Sequence, residues 1–127
     1  ELPLSSYIFV HADAEPDRTF HLKVAEAGAW VEYDAVGWKP AEFHIDLVRS
    51  FIDDGHGDRL LVSHDAGWYH AGESRGGDIK PFTPLIEKLM PGLEKAGVDR
   101  AWRNKLLVEN PARAFALRAA MPGSVGR

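Results

Sequence analysis

Three short apolar runs each end on a side chain that can bind a metal ion: Tyr7-Ile-Phe-Val-His11, Trp30-Val-Glu-Tyr-Asp34 and Leu60-Leu-Val-Ser-His-Asp65. Successive runs lie roughly twenty to thirty residues apart, about the length of a βαβ repeat. If the three strands are parallel, His11, Asp34 and Asp65 meet at the carboxyl edge of one sheet. Ligands bind at that edge in barrels and in open α/β sheets. The pattern therefore favours a metal site there.

Helical periodicity fills the segments between and after these runs. We predict strands at residues 7–11, 29–34 and 59–65, the first of them fully buried, and helices over residues 18–27, 40–54, 82–93, 99–108 and 110–120. Pro91 is expected to kink or split its helix, and Asn110 with Pro111 predicts an N-cap followed by a first-turn proline. A long polar loop covers about residues 66–80, and the tail at 122–127 is expected to fray.

Strands that alternate with helices predict an α/β fold, with a parallel sheet and right-handed crossovers. Three βα units are too few to close a barrel, which needs about eight. The chain is therefore either a small three-layer sheet or a segment of a larger fold. It does not begin with methionine and starts a few residues before a strong strand, as an excised piece would. We predict one unit over residues 1–127, with no internal linker.

Composition limits the classes of function. The 127 residues carry a formal net charge of −4, which gives no electrostatic reason to expect a nucleic acid or an anionic membrane as a partner. There is no cysteine, so disulfides, thiolate metal sites and cysteine nucleophiles are excluded together. No apolar stretch approaches the ~20 residues that span a bilayer. These features agree with a cytoplasmic protein.

Two stretches of the sequence carry a resemblance to a known family. They are Leu60-Leu-Val-Ser-His-Asp-Ala-Gly-Trp68 and Leu106-Leu-Val-Glu-Asn-Pro-Ala-Arg-Ala-Phe115, which resemble the closing strand and terminal helix of the phosphotriesterase family. The resemblance continues through Phe9-Val-His-Ala-Asp13 and the Asp34 strand. The family includes organophosphate triesterases and phosphotriesterase-like lactonases, built on a (β/α)₈ barrel in the amidohydrolase superfamily. The resemblance implies that this chain is the sixth to eighth βα units of such a TIM barrel.

The resemblance also implies roles for individual residues. His11 matches the sixth-strand histidine that binds the more exposed metal. Asp65 matches the eighth-strand aspartate that binds the buried metal and takes a proton from the bridging hydroxide, which makes it the predicted catalytic residue. The predicted substrate contacts are the seventh-strand acid, the aromatic pocket walls and the histidine of the long loop, namely Asp34, Trp38, Trp68, Tyr69 and His70.

The metal site that the resemblance implies holds two divalent ions, expected to be zinc, in each complete barrel. The chain departs from the family pattern in two ways. The first-strand His-x-His pair, the bridging fourth-strand lysine or glutamate and the fifth-strand histidine would all lie upstream of Glu1. The family's proton relay often uses an acid three residues after the sixth-strand histidine, where this chain has Ala14 between Asp13 and Glu15.

Several of these residues have a simpler interpretation. Asp65 could cap the loop after its strand, and His11 could be satisfied by local hydrogen bonds. Glu32 shares the inward face with Asp34 by strand parity, and could pair with an arginine of a neighbouring strand instead of serving the site. The loop aromatics could be simple packing. The two histidines predicted on helices, His21 and His44, are expected to be solvated.

By resemblance, the predicted function is hydrolysis of a phosphoester or lactone by a metal-bridged hydroxide. The alternative is a non-catalytic half-barrel fragment or subunit that needs a partner segment. The expected partners are a small-molecule ester or lactone, an upstream barrel half or partner chain, and a second copy in a homodimer, with no nucleic acid and no membrane. An apolar patch is expected on the inner sheet face, formed by Tyr7, Phe9, Trp30 and Leu61.

Overall fold

Three parallel strands form a sheet in the computed structural model, which describes residues 2–116. The strands are β1 (Ile8–Phe9), β2 (Trp30–Tyr33) and β3 (Leu60–Val62), in the spatial order β1-β2-β3. Ile8 is in register with Trp30, and Val31 with Leu60. The predicted α/β fold with a parallel sheet is confirmed. The strands are shorter than predicted at both ends, and the backbone has left the extended region at His11 (φ 56°) and at Asp65 (φ 43°), the last residues of two predicted strands.

Five α-helices surround or follow the sheet: α1 (Arg18–Glu26), α2 (Ala41–Asp53), α3 (Met90–Lys95), α4 (Arg100–Asn104) and α5 (Asn110–Phe115). The side chains of Asp17 and Asp99 cap α1 and α4 by accepting hydrogen bonds from backbone N–H groups. Pro40 is the N-cap residue of α2 and lies one position before the first turn. None of the helices within residues 2–116 is both long and apolar enough to cross a membrane.

Two π-helical turns, Leu85–Leu89 and Lys105–Glu109, lead directly into α3 and α5. Each is followed by a proline, Pro91 or Pro111, in the first two positions of the next helix. A wide turn is one way a helix accommodates a residue that cannot donate a backbone hydrogen bond. The irregularity predicted at Pro91 is therefore a π-helical turn within a continuous helical segment.

Asn110 is not the helix N-cap that its sequence predicts. It is fully buried, and its side-chain amide donates to the carbonyl oxygens of Gly57 and Leu60, at 2.8 Å each. These bonds tie the last helix to the amino end of β3. The predicted continuation of the helix to residue 120 and the tail at 122–127 lie outside the described residues.

The core lies between the sheet and its helices. Its buried side chains come from β2 and β3 and from the facing helical surfaces, and include Val31, Tyr33, Leu60, Val48, Phe51, Leu89, Leu93 and Leu106. The prediction that Phe9, Trp30 and Leu61 belong to an exposed apolar patch on the inner sheet face is wrong. Phe9 packs against Phe20 of α1, with ring centroids 5.2 Å apart. Trp30 and Leu61 are buried, and the Trp30 ring is covered by the guanidinium groups of Arg59 and Arg113.

β1 is also not the fully buried strand that its sequence predicts. Ile8 and Phe9 are half-buried, and the flanking Tyr7 and Val10 are exposed. The reason is topological, since β1 is an edge strand that pairs only with β2 within residues 2–116. A continuous apolar run indicates burial on both faces only where further elements cover it.

Candidate functional site

The carboxyl ends of the three strands bring His11, Asp34 and Asp65 to one edge of the sheet. Neighbouring strands are about 4.8 Å apart, so the ends of β1 and β3 lie about 10 Å apart with Asp34 between them. His11 and Asp65 both have left-handed backbone conformations, which turn the chain away from the sheet. The hydrogen bond that the ring of His11 donates to Asp34 raises the pKa of His11, and the charges of Asp34 and Asp65 raise it further. These three side chains form the carboxyl-edge cluster.

Asp34 fixes the ring of His11. The backbone N–H of His11 donates to Oδ2 of Asp34 at 2.8 Å, and Nδ1 of its ring lies 3.0 Å from Oδ1. Since a carboxylate only accepts hydrogen bonds, Nδ1 carries the proton. The Asp34 side chain is 8% exposed and that of His11 62%, which leaves Nε2 as the free ring nitrogen. A carboxylate that holds one ring nitrogen and frees the other is typical of a metal-binding histidine.

Asp13 and His44 form a buried pair beneath this cluster. Nε2 of His44 donates to Oδ2 of Asp13 at 2.8 Å, and both side chains are 1% exposed. The same oxygen accepts a hydrogen bond from the backbone N–H of Ala35, also at 2.8 Å. Burial alone would raise the pKa of the Asp13 carboxyl, but the hydrogen bonds from His44 and Ala35 outweigh it and hold that pKa below its ordinary value. Oδ1 of Asp13 and Nδ1 of His44 have no partner within residues 2–116.

The expectation that His21 and His44 are solvated is wrong, because both point into the core. The carbonyl oxygen of Glu15 lies 3.1 Å from Nε2 of His21, and the hydroxyl of Tyr33 lies 3.1 Å from its Nδ1. A carbonyl only accepts, so Nε2 donates to it, and the neutral ring accepts the Tyr33 hydroxyl at Nδ1. Burial lowers the pKa of His21. Asp13 supplies the corresponding partner for His44.

Glu32 lies beside the carboxyl-edge cluster and pairs with a serine. Its Oε1 accepts a hydrogen bond from the hydroxyl of Ser63 at 2.9 Å. The arginine partner of the alternative interpretation is absent from residues 2–116. Burial raises the pKa of Glu32, the Ser63 hydroxyl lowers it, and the charge of Asp34 raises it. The sheet thus places a second carboxylate, with a raised pKa, close to Asp34.

Asp65 is exposed beyond the end of β3, and the backbone carbonyl groups before and after its Cα atom both accept hydrogen bonds. The indole Nε1 of Trp38 donates to the carbonyl of His64 at 2.9 Å, and that of Trp68 donates to the carbonyl of Asp65 at 2.9 Å. Nε2 of His64 accepts the backbone N–H of Leu85 at 2.9 Å, which closes the long loop against β3. Burial lowers the pKa of His64.

The predicted substrate residues of the long loop are exposed. The backbone N–H of His70 donates to the carbonyl of Gly76 at 3.0 Å, so the loop folds back on itself. The ring of Tyr69 lies directly over Gly76, where a Cβ atom would overlap it. Gly76 has φ 82°, a conformation that favours glycine. Tyr69, His70 and Trp68 thus lie on one ordered loop that follows Asp65.

The donor set of this edge fits part of a metal site. His11 offers Nε2, and Asp65 offers an exposed carboxylate. No group of three His, Asp or Glu side chains that could hold a metal ion is present in the part of the chain that the structure describes. A catalytic zinc ion takes three protein ligands, so His11 and Asp65 would need ligands from outside residues 2–116.

Sequence reasoning missed the supporting residues of this edge. The roles of Ser63, His64 and His44 depend on partners 21 to 31 residues away, which no local pattern shows. For Asp13 the sequence shows only a place beside the expected relay position, because its partners Ala35 and His44 lie 22 and 31 residues later.

Comparison with known proteins identifies the relatives of this chain. The model of the phosphotriesterase family matches residues 2–115. A phosphotriesterase homology protein of Escherichia coli is 27% identical over 115 residues, covering 88% of this chain and 39% of the relative. An N-acetyltaurine hydrolase of Danio rerio is 26% identical, covering 72% of this chain and 30% of the relative. The chain therefore spans only 30% to 39% of the length of these two relatives.

Solved structures share the fold. The phosphotriesterase of Mycobacterium tuberculosis superposes with a TM-score of 0.78 at 22% identity, over 91% of this chain and 38% of that one. A lactonase of Listeria monocytogenes superposes with a TM-score of 0.76 at 25% identity, over 93% of this chain and 38% of that one. The βα order seen here is thus a portion of the fold of larger hydrolases.

Proposed function

Because this chain belongs to the phosphotriesterase family, we propose that it acts in a metal-dependent hydrolase that cleaves a phosphoester or a lactone. The observation that carries the proposal is the carboxyl-edge cluster, in which Asp34 holds the ring of His11 and leaves Nε2 free beside Asp65. Matching relatives are named as hydrolases, which favours a catalytic role over the non-catalytic fragment.

We further propose that the three βα units are the sixth to eighth of a (β/α)₈ barrel. Within residues 2–116 both outer edges of the sheet, β1 and β3, lack a further strand. The missing metal ligands would come from the strands that complete the barrel. A closed barrel would also cover the half-buried Ile8 and Phe9 of β1.

In this proposal His11 and Asp65 hold the metal ions, expected to be two zinc ions. The ions would supply Lewis-acid polarisation of the substrate and a lowered pKa of water. Asp34 keeps Nδ1 of His11 protonated, so that the lone pair of Nε2 points to the site. Asp65 accepts the proton of the attacking water at its carboxylate.

The aromatic residues at the mouth of the site would contact the substrate. Trp38 and Trp68 are exposed, and the Lys80 ammonium lies over the Trp38 ring, 5.1 Å from its centroid. Tyr69 and His70 would extend this wall along the loop. Apolar walls with a few fixed polar groups are typical of small-molecule sites.

Metal removal and restoration in the complete barrel tests this function. We expect hydrolysis of an aryl phosphotriester or a lactone to be lost after chelation and restored by zinc. N-acetyltaurine, the substrate in the name of the Danio rerio relative, serves as an amide probe. If the protein hydrolyses the amide with zinc but neither the phosphotriester nor the lactone, the proposed substrate class is wrong and an amide takes its place. Hydrolysis that chelation leaves unchanged would contradict the metal-dependent mechanism.

A further inference from the structure

Two tryptophan indoles donate hydrogen bonds to the two peptide groups that flank the Cα atom of Asp65. Trp38, from the loop after β2, donates to the carbonyl of His64 at 2.9 Å. Trp68, three residues beyond Asp65, donates to the carbonyl of Asp65 itself at 2.9 Å. The dihedral angles of a residue are set by the orientation of its two flanking peptide planes. The two indoles therefore act on the backbone conformation of Asp65.

That conformation needs support. Asp65 has φ 43°, in the left-handed region that residues other than glycine occupy infrequently. Such a conformation persists where the surrounding structure holds it, and it is frequent at functional sites. A return of φ to negative values would swing the carboxylate away from its present direction. Nε2 of His64 also accepts the Leu85 N–H, so the preceding residue is anchored through its side chain as well.

We propose that Trp38 and Trp68 are positioning residues that hold the Asp65 carboxylate toward His11 through their indole N–H groups. The inference rests on the proposed function of Asp65, and it adds a role to the pocket walls. The residues Trp38 and Trp68 are 46% and 54% exposed. Each therefore keeps exposed surface while its indole N–H is bonded to the backbone.

Phenylalanine substitutions separate the two roles. Trp38→Phe and Trp68→Phe keep an aromatic face but remove the N–H donor. A positioning role predicts that kcat falls roughly five-fold in each variant, the change expected from one lost hydrogen bond of ordinary strength, with little change in KM. Zinc affinity should weaken in parallel. The double variant should show the larger loss of kcat.

The matched control is Trp102→Phe. Trp102 is half-buried on α4 and lies against Gly57, at the amino end of β3 and the opposite end of the sheet from Asp65. This variant should retain the parental kcat, KM and zinc affinity. Unchanged kcat and zinc affinity in both Trp38→Phe and Trp68→Phe would overturn the inference and leave these residues as walls only.

A second readout does not require activity. Carbonyl ¹³C shifts of His64 and Asp65, together with the ¹³Cα and ¹³Cβ shifts of Asp65, report the hydrogen bonds and the backbone angle by NMR. We expect these shifts to change in Trp38→Phe and Trp68→Phe and to stay constant in Trp102→Phe. Should one variant fail to fold, the other is read alone.

The two readouts distinguish failure of the inference from failure of the proposed function. Unchanged Asp65 shifts in an active, zinc-dependent enzyme would contradict the positioning role alone. Changed shifts in Trp38→Phe and Trp68→Phe, together with no zinc-dependent hydrolysis by the parent protein, would contradict the hydrolase function while supporting the backbone contacts.

Discussion

Asp34 accepts two hydrogen bonds from His11, one from its backbone N–H at 2.8 Å and one from its ring Nδ1 at 3.0 Å. The first fixes the end of β1 against the end of β2, and the second fixes the ring. Asp13 makes the reciprocal contact, since it follows β1 and accepts the N–H of Ala35 after β2. Two carboxylates thus cross-link the ends of two neighbouring strands. That Asp34 contacts substrate stays a prediction, and the contact seen in the structure is with His11.

Asp34→Asn is expected to weaken zinc binding at His11. The amide keeps one acceptor oxygen but loses the charge that favours a protonated Nδ1. Removal of such a supporting carboxylate typically lowers metal affinity by about 10–100-fold. Competition with a chelator measures the affinity. Asp46→Asn, at an exposed position of α2, is the control and should leave it unchanged. Equal affinities in Asp34→Asn and the parent would refute this role for Asp34.

His44→Leu is expected to lower the free energy of unfolding by about 3 kcal/mol, because it leaves the buried Asp13 carboxylate without the hydrogen bond that the His44 ring donates. Urea denaturation measures the change. In a double-mutant cycle with Asp13→Asn, the losses of unfolding free energy in the two single variants should sum to more than the loss in the double variant, because each single variant removes the same Asp13–His44 interaction. Strictly additive losses would show that the two side chains do not interact.

His21 is expected to make the fold less stable in mild acid. Burial lowers its pKa in the folded state, where its neighbours include the charged Glu15 and Arg18 and the hydroxyl of Tyr33. The unfolded chain binds a proton at His21 below about pH 6.5, whereas the folded chain binds it only at lower pH. The unfolded state therefore binds more protons in this window, and stability falls as the pH drops from about 6.5 through the lowered folded pKa.

The test compares free energies of unfolding at pH 7.5 and pH 5.5. His21→Gln should show a smaller decrease than the parent, and His70→Gln, at an exposed loop position, should match the parent. An identical decrease in the parent and in His21→Gln would assign the acid sensitivity to other groups.

The aromatic loop is expected to govern substrate choice rather than stability. Trp68 and Tyr69 are exposed, so replacement of either by alanine should hardly change the Tm. The ratio of kcat/KM between substrates with large and small leaving groups should shift by roughly ten-fold. Thermal unfolding and paired kinetics on the proposed complete barrel measure both. A large fall in Tm with an unchanged ratio would identify these aromatics as packing.

Periodicity and strand-end residues were enough to predict the parallel α/β fold and the elements that carry the carboxyl-edge cluster. These signals could not predict which face of α2 packs against the core. Phe43 and His44 are adjacent, and either fits a stripe with Leu47, Val48 and Phe51. The structure exposes Phe43 and buries His44, because Asp13, 31 residues earlier, supplies a partner there.

The position of Asn110 also could not be predicted from the local sequence. Asparagine before proline is typical of a helix start, yet here its amide binds two carbonyl oxygens near β3 that lie at least 50 residues away in sequence. A local pattern reports the preference of a residue, whereas a buried polar side chain is placed by partners from elsewhere in the chain.

The most direct test of the central claim is turnover by Asp65→Asn in the zinc-loaded complete barrel. The substitution keeps the shape of the side chain and removes its charge and basicity, beyond the carboxyl end of β3. We predict that hydrolysis of both phosphotriester and lactone falls at least about 100-fold, the lower range for loss of a general base. The Tm should stay nearly constant, and Asp46→Asn should keep parental turnover. Near-parental turnover of both substrates by Asp65→Asn would contradict the account.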